Sequence, residues 1–168
     1  MNSIKLITIS STVTLSFILL LFGIHLLTKG FKSKLNNKGR LKISFAIWYA
    51  ALFLSGSSII SDIVNAVLEV IDNLININPT NLNVQLIKSG SLIIGVGFVW
   101  YFVWYFVVKF SVKVAQFKSD EHQEMEDDNF TYFIVKSAML IGLIFSLSAI
   151  LTLILRTLIP NIDMPFYH

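Results

Sequence analysis

Residues Ser55–Asn76 read SGSSIISDIVNAVLEVIDNLIN. Taken in steps of three and four, the stretch gives Ser55, Ser58, Asp62, Asn65, Glu69, Asp72 and Asn76, all polar. That spacing keeps seven side chains on one stripe of an α-helix. The stripe begins inside an apolar run that opens at Ile43. The fold therefore turns on what a polar stripe does in a helix otherwise suited to lipid.

Working outward, the chain has 168 residues, 55 % hydrophobic and 14 % charged. A soluble domain of this length would carry more charge, and here the apolar residues fall in blocks. Four blocks reach the roughly 20 residues that cross a hydrocarbon core. They lie at 7–27, 43–64, 89–108 and 138–157, which predicts an all-α integral membrane four-helix bundle forming one domain. Between them lie a basic loop, 28–42, an outer segment, 65–88, and an acidic segment, 109–137. The first block has one lysine, Lys5, before it and no small-x-small cleavage site after it, so it reads as a retained helix. No cysteine is present, which excludes disulfides and thiolate metal sites.

Charge sets the orientation. Lys29, Lys32, Lys34, Lys38, Arg40 and Lys42 follow the first block, and Lys109, Lys113 and Lys118 follow the third. Nine of the 13 basic residues thus share one side, which the positive-inside rule assigns to the cytoplasm. Both termini then face outward from a bacterial inner membrane.

No proline interrupts the second block before Pro79, so its helix outruns the bilayer on the outer side. Beyond Val64 the stripe reads as the wet face of that extension. Ser55 and Ser58 are readily satisfied by carbonyls of the preceding turn. Asp62 lies near the outer edge of the hydrocarbon and needs a partner. Arg156, at similar depth in the fourth block, offers one, within a subunit or between subunits. The alternative is that both residues snorkel separately to headgroups.

The third block carries small residues, with Gly90 placed with Gly97 and Ser91 with Gly95, that admit a close helix neighbour. It ends in a tandem repeat, WYFVWYFV, that stacks Trp100 and Tyr101 one turn from Trp104 and Tyr105. These are read as packing aromatics, with the deeper indole and phenol seeking polar partners. Beyond them the helix continues as a basic amphipathic extension suited to anionic headgroups. The run SDEHQEMEDDN follows, with Asp120, Glu121, Glu124, Glu126, Asp127 and Asp128. It reads as a solvated loop and as the docking surface for a basic cytoplasmic protein. Lys136, at the inner end of the fourth block, is placed to snorkel to the cytoplasmic interface.

Nucleotide-binding glycine loops, zincin helices and nucleophile elbows are absent from the sequence. The expectation is a non-enzymatic protein with no cofactor or metal and no direct nucleic-acid binding. Two functions fit. One is a homo-oligomeric membrane scaffold or sensor serving a soluble cytoplasmic partner. The other is an oligomeric channel lined by Ser55, Ser58, Asp62, Asn65 and Glu69, with the acids ringing an outer mouth. Four apolar blocks with a basic and an acidic cytoplasmic segment resemble the membrane subunit of Kiwa-type bacterial antiphage systems. That resemblance implies an oligomer that watches the membrane for phage entry and works with a DNA-binding partner. It implies no particular site residue.

Overall fold

The apolar run from Ile43 meets no proline before Ile77, and it folds as a single helix. In the computed structural model, which describes residues 2–31, 34–35, 39–77, 81–115 and 120–160, that helix is the second of six. They are α1 (Asn2–Thr28), α2 (Ile43–Ile77), α3 (Leu82–Ala115), α4 (Glu121–Glu126), α5 (Phe130–Ser146) and α6 (Ser148–Arg156). Among the described residues extended pairing is limited to one bridge, Leu35 with Leu41. Helices α1, α2 and α3 are each long and apolar enough to cross a membrane. The α5–α6 pair is a fourth such segment if its two parts count as one span.

Helix α2 is the hub, with α1, α3, α5 and α6 all packed on it. Its buried residues go most of the way round, and Trp48, Leu52, Ile63, Ile71 and Leu74 are fully covered. Two glycines set the closest approaches. A Cβ at Gly56 would fall 2.1 Å from Leu20 Cδ1 of α1, and one at Gly97 of α3 would fall 2.5 Å from Ile63 Cδ1. Gly90 and Gly95 face open space instead.

The fourth apolar segment departs from expectation. Its helix begins at Phe130, two turns before the spanning block expected at 138–157, and it breaks at Leu147 with a bend of 43°. The break lies between Ser146 and Ser148, a usual setting for a kink. There the Leu147 carbonyl accepts from both the Ile150 and Leu151 N–H groups, at 3.1 Å each. Within the acidic segment α3 runs on to Ala115, while the run read as a solvated loop carries α4 and leads into α5.

Gly97→Ala should lower stability by about 1–3 kcal/mol, because Ile63 has no room to give way. Gly90→Ala should leave it unchanged. Thermal unfolding of both variants in one detergent decides the matter, and equal midpoints would refute the close α2–α3 approach.

Candidate functional site

The densest polar chemistry lies where α4 meets the starts of α2 and α5. Asp120 begins α4 as its N-cap, accepting from the His122 N–H. The helix ends in a Schellman motif. Asn129 N–H bonds to the Glu124 carbonyl, Asp128 N–H bonds to the Met125 carbonyl, and Asp128 has φ 51°. Aspartate tolerates that left-handed conformation better than most residues. Asn129 then caps α5 by accepting from the Tyr132 N–H.

This turn aims the Asp128 carboxylate at the N-terminus of α2. Asp128 Oδ1 accepts from Ser44 Oγ at 2.6 Å and from the Ser44 N–H at 2.9 Å. A carboxylate is favoured there because the first N–H groups of a helix have no intrahelical partners. Partial burial pushes the Asp128 carboxyl up. The bonds from Ser44 and Ile43 and the nearby Lys42 charge outweigh it and hold the group below its ordinary value. Lys42 Nζ in turn donates to the Met125 and Glu126 carbonyls, at 3.0 and 2.8 Å, at the negative end of α4. The Ser44 hydroxyl also touches the buried Met125 sulfur.

Beneath this cap lies Lys136, with 0 % of its surface exposed. Its ammonium sits 4.1 Å from the Trp48 ring centroid, with Tyr105 and Phe133 at 5.8 and 6.0 Å. It donates to Glu121 Oε1, while Glu121 Oε2 faces Lys109 Nζ at 3.7 Å. The aromatic cage that a cationic ligand would seek is thus filled by the chain's own lysine. Lys136 does not snorkel to headgroups; it ends on α4.

Several expectations change here. Of the six acids assigned to docking, Glu121 and Asp128 hold the cap together and Asp120 caps α4. Glu124 accepts from Asn129 Nδ2 at 2.6 Å. Only the Glu126 and Asp127 carboxylates are exposed without a hydrogen bond or ion pair among the described residues. Among the bases, Lys42 is buried rather than set at the membrane surface. Lys29, Arg40, Lys109 and Lys113 are exposed, and Lys34 lies over the Phe45 ring at 5.6 Å. Lys32, Lys38 and Lys118 lie outside the described residues.

The polar stripe of α2 is part helix-docking seam, through Asp62 and Glu69, and part wet face, since Asn65, Asp72 and Asn76 are exposed. Asp62 Oδ2 accepts from Ser148 Oγ at 2.8 Å, beside the α5–α6 break. Glu69 Oε1 pairs with Arg156 at 3.0 Å, and Asn73 Nδ2 donates to the Pro160 carbonyl at 3.2 Å. Asp72 lies beside the seam and pairs with Lys5 of α1 at 2.7 Å. Ser55 is fully buried with no partner for its hydroxyl, Ser58 is half-buried, and Asn65 and Asn76 are exposed. An Asp62–Arg156 pair does not form within the chain. The helix of the fourth segment starts at Phe130, level with the start of α2, so Arg156 arrives two turns beyond Asp62, at Glu69.

Asp62 is therefore the deeper of the two acids. Leu6–Ile24, Ser89–Val108 and Ser137–Leu155 carry no charged residue, and each stretch is about 30 Å long as a helix. At one end lie Lys109, Lys136 and Glu121, near Trp48. At the other lie the Lys5–Asp72 and Glu69–Arg156 pairs. Asp62 falls two turns, about 10 Å, inside this second belt. Of the four aromatics, Tyr101 and Tyr105 are buried, and the Tyr101 hydroxyl donates to the Leu52 carbonyl at 3.0 Å. The Trp100 and Trp104 rings meet edge to face, and neither indole N–H has a partner.

Two predictions test the cap. Glu121→Gln should cost roughly 3–5 kcal/mol, because it leaves the Lys136 charge buried without its counter-ion. Lys136→Met combined with Glu121→Gln should recover part of that loss; no recovery in a thermal melt would refute the charge-pair account. Asp128 has a folded-state pKa below its unfolded value, so its contribution is fully present above that unfolded value. It is lost as pH falls through the folded one. The advantage of wild type over Asp128→Asn should thus be level near neutrality and shrink below about pH 4. A pH-independent difference would show that charge plays no part in the cap.

Compared with protein-family models, curated proteins and solved structures, the chain matches none.

Proposed function

We propose that the chain is a non-enzymatic scaffold or sensor subunit of a bacterial inner membrane, with α5 and α6 forming one bent fourth span. On this reading the α4 end faces the cytoplasm, where the basic residues gather, and both termini face outward. The observation that carries the proposal is the cap. A short helix rich in acids is clamped onto the spanning helices by a buried ion pair and a cross-chain helix cap. A partner that grips α4 pulls directly on α2 and α5, so a change on either side of the cap reaches the other. The residues left to meet that partner are Glu126 and Asp127, which face solvent as an acidic pair.

Self-assembly fits the far end. There α1 and α3 leave a groove of about 450 Å³ between them, edged by Thr8, Ser11, Thr12, Gly90 and Ser91. Small residues of this kind admit a helix of a second copy, and closed symmetry is its simplest form. A role in antiphage defence rests on the topological resemblance alone. The channel reading is less favoured, because α6 occupies the stripe that would line it, through Asp62 and Glu69.

Reversing charge at Glu126 and Asp127 together, to lysine, should abolish co-purification of a stoichiometric soluble protein while membrane insertion stays intact. Native mass spectrometry of the tagged protein from its own host reads both. Partner binding that survives the reversal removes α4 as the docking element, and a homo-oligomer with nothing attached removes the scaffold reading.

A further inference from the structure

A cavity of about 190 Å³ opens between the end of α1, the inner part of α3 and α4. Its polar wall comes from Lys29, Tyr105, Lys109, Glu121 and His122. The space is several times the roughly 30 Å³ share of one water, so it admits a small polyatomic ion. Gly30 lies against His122 on this wall, where a Cβ would come 3.3 Å from His122 Cε1.

The balance of charge favours an anion. Glu121 is the carboxylate on the wall, and Lys136 already neutralises it from behind. Lys109 stands 3.7 Å from the other Glu121 oxygen, beyond hydrogen-bonding distance, and its side chain is half exposed. Lys29, also exposed, lines the cavity just past the end of α1. Two lysines and a histidine therefore line one space with a single acid, which Lys136 neutralises. The site lies at the charge belt that ends the uncharged stretches, the depth at which phospholipid headgroups lie beside spanning helices. Basic pockets between helices at that depth are suited to acidic headgroups.

We propose that this cavity binds one phosphate-ester anion, the headgroup of an acidic phospholipid, between Lys29 and Lys109. The proposal deepens the membrane reading above and rests on it for the source of the ligand. The phosphate chemistry itself does not need a bilayer.

The test is a thermal-unfolding titration of the full chain in neutral detergent, with phosphatidylglycerol, phosphatidylcholine and inorganic phosphate as separate ligands. Phosphatidylglycerol should raise the midpoint saturably. Lys29→Gln and Lys109→Gln should each weaken half-saturation by about tenfold, the loss of one charged hydrogen bond. Lys113→Gln, one turn farther along α3 and exposed, should behave as wild type. If inorganic phosphate gives the same response with the same variant pattern, the site stands and its ligand is a soluble phosphate. Equal stabilisation by phosphatidylglycerol and phosphatidylcholine, or equal weakening by Lys113→Gln, overturns it. Should Lys109→Gln fail to fold, the exposed Lys29→Gln alone decides. Extraction of the chain from host membranes by detergent but not by alkaline carbonate tests the membrane reading independently.

Discussion

The structure depends on a parallel pairing of α2 with the α5–α6 segment, pinned by polar contacts along its length. Ser44 meets Asp128, Asp62 meets Ser148, Glu69 meets Arg156 and Asn73 meets the Pro160 carbonyl. Their separations in sequence are 84, 86, 87 and 87 residues, a nearly constant offset. Apolar helix faces slide past one another at little cost, whereas a polar group in a dry interface is satisfied in one register only. The three part-buried contacts therefore fix how the second and last segments lie, the exposed Glu69–Arg156 pair follows the same register, and α1 and α3 fill in around α2.

The cap at the α4 end works by the same rule at higher stakes. Desolvating a lysine can cost as much as its ion pair returns, so Lys136 is poor evidence for stability as such. What it adds is dependence. The ammonium is compensated only while α4 holds Glu121 in place, and α4 is held only while Asp128 and Lys42 engage the start of α2. The start of α2 and the α4–α5 stretch, more than 80 residues apart in sequence, thus stand or fall together.

The helical character was legible because four apolar blocks of spanning length leave few alternatives, and the run from Ile43 to Ile77 has nothing to break it. The polar stripe was equally plain, but what it faced was not. A helix pattern gives the spacing of side chains and says nothing about the neighbour, so water and α6 looked the same. Thr131, Tyr132 and Lys136 lower the hydropathy ahead of the last spanning block, so the helix turns that precede it from Phe130 do not stand out, and their packing on α2 carries Arg156 past Asp62 to Glu69. Asp128 hid in an acidic run where charge alone suggested solvent. Its role needs a left-handed backbone and a helix end some 84 positions away, and a single sequence does not display such a pairing.

Asp62 draws these threads together. Within the uncharged band, an acid on α2 can be met only by what the last segment brings, and that segment brings a serine at the point where its helix breaks. The break and the hydrogen bond have one logic. Ser146 and Ser148 weaken the ladder locally, and the bend allows both α5 and α6 to stay in contact with α2, so that Ser148 reaches Asp62 and Arg156 reaches Glu69 two turns on. A straight helix with alanines at those positions would pack more simply and leave Asp62 unmet. One hydroxyl is a small return for a carboxylate in that position, and Asp62 stays half exposed. Most of the stripe is therefore explained by the register it sets. Asp62 is the position where setting register demands the most of the fold.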